Sequence, residues 1–253
     1  MLRHRVIPTL LLRNGGLVKT TRFSSPRYVG DPLNAIRIFN EKEVDELLVF
    51  DITASRERRA PNFEAIQELA AECFMPFCYG GGISTIEHAE RLFALGVEKV
   101  SLQTATARNL ELITRIATKF GSQAVVAAVD VKKSWGSGYK LYWSASGRTE
   151  RDWQGHLRRV VGAGAGEVVL NAVDRDGTMQ GVDADLIRIA SNDIEVPLVA
   201  LGGVGSLDDI RVAIEAGASA VAAGAFFVYH GKHRAVLITY PPYATLERLM
   251  QNR

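Results

Sequence analysis

Short apolar runs alternate with amphipathic stretches along the whole chain. The runs hold few interior charges, which is typical of parallel strands buried on both faces. They predict eight strands, at residues 6–12, 47–52, 75–81, 97–103, 124–130, 167–173, 196–203 and 219–227.

The stretches between these runs have helical spacing. Stretch 62–74 places its apolar residues on one face. Stretch 85–96 begins at a capping residue, Thr85, and ends at a glycine, and stretch 206–217 repeats that arrangement. Eight alternations of strand and helix predict a (β/α)8 barrel, and a doubly wound open sheet is the alternative.

An internal repeat favours the barrel. Residues 81–104 and 202–225 align without a gap. Three pairs of glycines match at an offset of 121 residues: Gly81 and Gly202, Gly82 and Gly203, and Gly96 and Gly217. A period this long indicates a duplicated half-domain rather than a solenoid unit. Two four-stranded halves close into eight strands, so we expect one barrel domain over residues 1–253.

Composition and charge argue against nucleic acid and membranes as binding partners. The formal net charge is only +2, which provides no overall field for nucleic acid or an acidic membrane. No apolar run is long enough to span a bilayer. Two cysteines are too few for a secreted disulfide framework. We therefore expect a cytoplasmic protein that binds neither nucleic acid nor membrane.

Each half carries a glycine-rich turn at the end of its third strand, followed by a helix. Glycine lets backbone N–H groups approach an oxyanion, and a helix N-terminus favours negative charge. Two such turns predict a substrate with phosphate at both ends, although these glycines could merely permit tight turns. The candidate phosphate-binding residues are Gly81, Gly82, Gln103 and Thr104 in one half and Gly202, Gly203, Gly224 and Ala225 in the other.

The sequence "DRDGT" at 174–178 follows the sixth predicted strand. Asp176 and Gly177 form either a simple turn or a carboxylate at the catalytic rim beside a permissive glycine. Both interpretations stay open from the residues alone, and the rim position adds Asp176 and Gly177 to the candidate phosphate-binding residues.

Several motifs together resemble the cyclase subunit of imidazole glycerol phosphate synthase. They are "GDPLNAIRIFNEKEVDELLVFDITAS", "GGGI", "KVSLQTA", "FGSQAVVAAVD", "DRDGT" and "GGVG", in the family's order and spacing along essentially the whole chain. The resemblance implies a (β/α)8 barrel that receives ammonia from a separate glutaminase subunit. At its active face the family cyclises a bisphosphorylated aminoimidazole-carboxamide ribonucleotide. No metal or redox cofactor is implied.

The family has a ring of four charged residues at the bottom of the barrel, through which ammonia enters. The resemblance places this gate ring at Arg5, Glu46, Lys99 and Glu167, each near the start of a strand, and all four charges are present. Charged residues commonly flank strands, but four of alternating sign at one end favour a retained gate. The implied partner is a glutaminase subunit.

The family's acid–base pair departs from its pattern here. The resemblance assigns one catalytic aspartate to Asp130 and the other to position 11, which holds Leu11. A leucine cannot transfer a proton, and losing such a group usually costs about 10²- to 10⁴-fold in rate. Other positions depart as well: the family has Asn at Gln103, Thr at Asn171, and Ser at Leu201 and Ala225.

This chain keeps all four charges of the gate ring but lacks one member of the acid–base pair. In this combination it resembles diverged relatives of the cyclase subunit from surface-polysaccharide pathways. Those relatives act with a glutaminase and a third, ATP-dependent amidotransferase that converts an N-acetyl sugar group into an acetamidino group. We therefore expect an ammonia-transferring barrel that still binds a phosphorylated ligand. The alternatives are a working cyclase subunit in histidine biosynthesis and a non-catalytic barrel that binds a phosphate ligand.

Overall fold

The computed structural model describes residues 4–107, 109–134, 136 and 138–251. The strands are β1 (Arg5–Arg13), β2 (Gly16–Thr21), β3 (Ser24–Gly30), β4 (Leu47–Asp51), β5 (Phe77–Gly80), β6 (Lys99–Leu102), β7 (Val125–Ser134), β8 (Gly138–Trp143), β9 (Arg148–Glu150), β10 (Glu167–Ala172), β11 (Leu198–Leu201), β12 (Ala220–Ala223), β13 (Tyr229–His230) and β14 (Ala235–Val236). The helices are α1 (Pro32–Glu41), α2 (Phe63–Glu72), α3 (Ile86–Ala94), α4 (Glu111–Phe120), α5 (Trp153–Gly162), α6 (Ala184–Ser191), α7 (Leu207–Glu215), α8 (Ala225–Val228) and α9 (Tyr243–Gln251).

Eight parallel strands close into a barrel. Their order is β1-β4-β5-β6-β7-β10-β11-β12, and β12 pairs with β1 to complete the circle. The two halves join where β7 pairs with β10. Helices connect successive barrel strands, so the (β/α)8 barrel is confirmed and the open-sheet alternative is wrong.

The predicted helices follow their capping signals. Thr85 accepts the backbone N–H of His88 at the start of α3. Ser206 and Asp209 form a reciprocal capping box at the start of α7, which fixes that helix to the turn before it. The prediction of a strand over 219–227 is wrong at its end. The strand stops at Ala223, and α8 follows as a single helical turn.

The interior of the barrel is ordered in layers because side chains alternate across each strand. Along β1, the residues Arg5, Ile7, Thr9 and Leu11 share one face and rise from the N-terminal end of the barrel to its C-terminal end. An apolar cluster fills the middle, made of Ile7, Leu48, Cys78, Val126, Val169, Val199, Ala220 and Ala222. Charged and polar groups therefore lie at two separate ends of the barrel.

Two hairpins extend beyond the barrel and were not predicted. The first is β2–β3, whose turn residues Arg22 and Phe23 both have positive φ. A two-residue turn at Asn14 and Gly15, also with positive φ, joins β1 to β2. The second, β8–β9, continues β7. Phe23 and Tyr142 bring the two hairpins together, with ring centroids 5.9 Å apart. No helix in the described ranges is long and apolar enough to cross a membrane.

A candidate active site at the carboxyl ends of the barrel strands

A cavity of about 540 Å³ opens at the C-terminal ends of the barrel strands. It brings together most of the site residues predicted from the sequence. Those that line it are Leu11, Gly81, Gly82, Gln103, Thr104, Asp130, Asp176, Gly177, Gly224 and Ala225. Gly202 and Gly203 are not among the residues that line it, and the gate ring lies at the opposite end of the barrel.

Asp130 is a buried carboxylate on β7. The Nε2 atom of Gln103 donates to its Oδ2 atom over 3.1 Å. Burial raises the pKa of Asp130 to about 7, and the nearby carboxylate of Asp176 adds to this effect, while a hydrogen bond from Asn171 opposes it. Since this pKa lies near neutrality, Asp130 can both give up and accept a proton.

Leu11 occupies the position that the resemblance assigns to the family's second aspartate. It lies opposite Val18 on β2 and Phe50 on β4, and its half-buried side chain faces the cavity. The carboxylate of Asp51, at the end of β4, is engaged in holding its own loop. It accepts the N–H groups of Thr53 and Ala54 over 2.9 and 3.0 Å. The wall of the cavity at position 11 is thus apolar.

Lys19 also lines the cavity, although its place in the sequence suggested a loop. It lies within β2, is 5% exposed, and its Nζ atom donates to the carbonyl oxygen of Thr9. Burial lowers the pKa of Lys19 to about 8, and the carboxylate of Asp176 opposes that shift. Lys19 is therefore a buried strand residue and not the solvated loop lysine that its place after the first predicted strand indicates.

Asp176 and Gly177 form a tight turn and also place a carboxylate in the cavity wall, so the two interpretations of this segment hold together. The hydroxyl of Thr20 donates to the Asp176 carboxylate over 3.2 Å, and the N–H of Arg22 donates to its carbonyl oxygen over 2.9 Å. Gly177 has a φ of 67°, and a Cβ there would lie 2.0 Å from the carbonyl oxygen of Thr20. The turn therefore requires glycine, and it also presents a carboxylate to the cavity.

The two glycine pairs are both close backbone contacts, but they meet the cavity differently. Gly81 and Gly82 line it, and the N–H of Gly82 donates to the hydroxyl oxygen of Ser55 over 3.2 Å. Gly203 packs against Gly181, whose N–H donates to the Gly203 carbonyl oxygen over 2.9 Å. Close approach explains why these positions are glycine, and phosphate binding stays a prediction.

The gate ring is closed by four ion pairs. Lys99 Nζ lies 2.8 Å from a carboxylate oxygen of Glu46 and 2.9 Å from one of Glu167, and Arg5 bridges the same two glutamates. Burial alone lowers the pKa of Lys99, but the two carboxylates outweigh it and raise that pKa above its usual value. The ring is therefore a fully paired polar plug.

Two buried polar atoms in the cavity wall are unpaired within the part of the chain that the structure describes. They are the hydroxyl oxygen of Thr9 and the side-chain carbonyl oxygen of Asn171. Buried polar groups are nearly always hydrogen-bonded, so an unpaired one in a cavity points to a ligand or a bound water. The sequence marked Asn171 as a departure from the family pattern, but it gave no signal that either atom lacks a partner, because Thr9 and Asn171 fall inside apolar strand runs. Over the described residues, no group of three or more His, Cys, Asp or Glu could hold a metal ion.

A closed parallel barrel with a polar cavity at the carboxyl ends of its strands defines an enzyme-like (β/α)8-barrel protein. Residues 5–234 match the family described as histidine biosynthesis protein, and the chain belongs to that family. Within the family it resembles the cyclase subunit of imidazole glycerol phosphate synthase.

Similar proteins include diverged members of this group. A protein of Pseudomonas aeruginosa, provisionally named imidazole glycerol phosphate synthase subunit hisF2, is 54% identical over 95% of this chain and 97% of its own length. A provisionally named subunit HisF of Leptospira interrogans is 47% identical over 95% of this chain and 96% of its own length. Imidazole glycerol phosphate synthase subunit HisF of Exiguobacterium sibiricum is 39% identical over 90% of this chain and 91% of its own length.

Proposed function

We propose that this chain is the barrel subunit of a glutamine-dependent amidating system in surface-polysaccharide biosynthesis. It receives ammonia from a glutaminase subunit and passes it on for conversion of an N-acetyl sugar group into an acetamidino group. A third, ATP-dependent amidotransferase carries out the activation of the sugar. One observation carries this proposal: a complete gate ring lies at one end of a barrel whose other end has Leu11 in place of a catalytic acid.

The gate ring supports docking of a glutaminase. Its glutamates are buried, whereas the side chains of Arg5 and Lys99 are 27% and 19% exposed. The two cations therefore lie on the outer side of the ring, where a partner can contact them. Withdrawing one cation opens the polar plug, and the apolar interior above it suits neutral ammonia better than ammonium.

The cavity supports a loss of cyclisation rather than a loss of ligand binding. Cyclisation needs two proton-transfer groups, and only Asp130 stands at a position assigned to them. Leu11, Phe50 and Leu201 make part of the wall apolar. The cavity nevertheless keeps its volume and its polar residues, so it can still hold a small molecule.

A second candidate function is cyclisation itself, as a working imidazole glycerol phosphate synthase subunit. It is favoured by the pKa of Asp130 at about 7 and that of Lys19 at about 8, because both groups can exchange protons at neutral pH. In this case the lysine would supply the proton that an aspartate at position 11 supplies elsewhere in the family.

Reconstitution with the glutaminase and amidotransferase partners tests the proposal. We expect the barrel to bind the glutaminase at micromolar concentration, and amide nitrogen of ¹⁵N-labelled glutamine to reach the sugar product only when the barrel is present. Lys99→Met should reduce this transfer, whereas Lys119→Met, which removes an exposed lysine paired with Glu90, should leave it unchanged.

The purified chain is then assayed with the family's ribonucleotide and ammonium salt. We expect turnover far below that of a cyclase subunit. Rapid turnover would establish the second candidate. Failure to bind any glutaminase, together with no turnover, would leave a non-catalytic barrel that binds a phosphate ligand and would overturn the proposal.

A further inference from the structure

Charge is distributed unevenly between the two ends of the barrel, although the net charge is only +2. The turns at the gate-ring end carry mainly acidic residues, as at Glu43, Glu98 and Glu195. The loops that follow the barrel strands instead carry exposed and half-buried cations, which we call the cationic rim. Its members are Arg22, Arg56, Lys132, Lys140, Arg175 and Arg234.

Ion pairing separates the cationic rim from cations elsewhere on the surface. Cations on the outer helices lie 3.0 Å or less from a carboxylate oxygen, as do Arg37, Lys119, Arg158 and Arg188. Within the described ranges, no member of the rim forms an ion pair. Two carboxylates of the same loops are engaged by other groups, Glu57 by Arg59 and Asp174 by the N–H of Lys133. The positive charge of the rim is therefore uncompensated.

The arginines of the rim are fixed in place by neutral groups. Each donates a guanidinium N–H to a backbone carbonyl oxygen over 3.0 to 3.2 Å. The acceptors are Asp174 for Arg22, Ser144 for Arg56, Gln180 for Arg175 and Thr178 for Arg234. A carbonyl group does not neutralise the charge, and a guanidinium has further N–H donors for a partner. Because these side chains are already ordered, binding through them loses less rotamer entropy.

Lys132 on β7 and Lys140 on β8 lie directly opposite each other in the antiparallel ladder. Like charges in this arrangement destabilise a sheet. Both lie on the face of the strands that carries Asp130, because residues two apart on a strand share a face. Lys132 Nζ lies 5.6 Å from the ring centre of Tyr142. A carboxylate supplied by a partner would relieve this repulsion beside the mouth of the cavity.

The placement of the rim favours a protein over a small anion. Its members belong to the loops that follow β1, β4, β7, β10 and β12, so they are spread around the barrel. Small-molecule sites depend on a few polar groups that converge, and of the six rim residues only Arg56 lines the cavity. Single-stranded nucleic acid binds along a groove, whereas this rim encircles an opening. The arrangement suits a folded partner that covers the mouth.

We infer that the cationic rim docks a protein with an acidic surface around the entrance to its own active site. This inference rests on the proposed function, which makes that protein the amidotransferase, and it adds the surface by which the partner binds. Seated over the mouth, the partner receives ammonia from the cavity before the ammonia reaches solvent. Since the gate ring lies at the opposite end, the glutaminase and the amidotransferase bind to the barrel at the same time.

Biolayer interferometry with the full chain immobilised measures this docking. We expect the amidotransferase to bind at micromolar concentration, with or without bound glutaminase. Raising the ionic strength from about 0.05 M to about 0.5 M should weaken binding about tenfold, because salt screens the attraction between complementary charged surfaces.

Charge reversal at Lys132 separates docking from folding. Lys132→Glu places opposite charges across the ladder, so the melting temperature should rise while the affinity for the amidotransferase falls about tenfold. The double variant Lys132→Glu, Lys140→Glu restores like charges, so the melting temperature should return towards that of the wild type while the affinity falls about 100-fold. Arg188→Glu, which reverses an exposed cation on α6, is the matched control and should leave the affinity unchanged.

Amidotransferase binding that responds neither to salt nor to Lys132→Glu would overturn the inference. Displacement of the amidotransferase by the glutaminase, tighter binding of a short DNA duplex, or no amidotransferase binding at high micromolar concentration would overturn it as well. Nitrogen transfer from glutamine is measured on the same preparations. Transfer and affinity that are intact in both charge-reversed variants refute the docking surface alone. Docking that follows the charge of the rim without any nitrogen transfer refutes the proposed function alone.

Discussion

Gln103 holds Asp130 by a hydrogen bond of 3.1 Å between Nε2 and Oδ2, and the same amide nitrogen donates to the carbonyl oxygen of Tyr142 over 3.0 Å. The buried carboxylate on β7 is thereby tied to the β8–β9 hairpin. Neighbouring strands of the barrel thus hold the one member of the assigned acid–base pair that is present, and burial raises its pKa to about 7.

Asp130→Asn should stabilise the protein above neutral pH. The folded-state pKa of Asp130 is raised from 3.8 to about 7, so the folded protein keeps a proton that the unfolded chain loses between these values. Stability of the wild type is therefore lost as pH rises from about 4 to about 7. The variant removes this loss, worth up to about 4 kcal/mol.

Urea unfolding at several pH values measures this difference. Below about pH 3, Asp130 is protonated in both the folded and the unfolded wild type. The two proteins therefore differ there only by the altered hydrogen bonds, which provides an internal reference. A stability difference that does not change between pH 4 and pH 8 would contradict the raised pKa.

Removing one charge from the gate ring should strongly reduce the free energy of unfolding. Lys99→Met leaves the buried carboxylates of Glu46 and Glu167 with Arg5 as their one remaining ring partner, and we expect a loss of about 2–4 kcal/mol in the free energy of unfolding. Lys119→Met removes an exposed ion pair and should cost less than about 1 kcal/mol. Equal effects of the two changes in urea unfolding would show that the ring is not a coupled, desolvated unit.

The fold was largely predictable because it depends on patterns that are local. Apolar runs gave the eight barrel strands, and capping residues such as Thr85 and Ser206 marked helix starts. The hairpins were missed because β3 is mostly exposed and polar, so it has no apolar run. The Asn14–Gly15 turn was a usable signal, since this dipeptide favours two-residue hairpins.

The site was predictable only in part. Strand ends identified Asp130 and the glycine pairs, because a barrel brings the ends of its strands to one face. Which side chains touch, as Gln103 touches Asp130, depends on the register between strands, which no local pattern sets. The burial of Lys19 could not be predicted for the same reason: it depends on the hairpin that folds it back beside Thr9.

The contact between Phe23 and Tyr142 predicts how the mouth of the cavity opens. Phe23→Ala removes the aromatic contact between the hairpins, so β2–β3 should open more often. We expect trypsin to cleave after Arg22 or Arg27 about three- to tenfold faster. Tyr28→Ala, which truncates an exposed ring in the same hairpin, is the matched control. Identical cleavage rates for the two variants would show that Phe23 does not hold the hairpin down.

Leu11→Asp tests whether the cavity lacks only a proton-transfer group. A carboxyl at this position faces the cavity from β1, as Asp130 does from β7, and should raise kcat for the family's ribonucleotide with ammonium by about 10²-fold. KM should stay high, because Leu201 and Ala225 still stand at positions where the family has serine. Leu11→Asn is the matched control, since it has the same shape and cannot titrate. An equal gain with asparagine would assign the effect to polarity, and wild-type turnover as fast as that of the aspartate variant would show that Leu11 does not limit cyclisation.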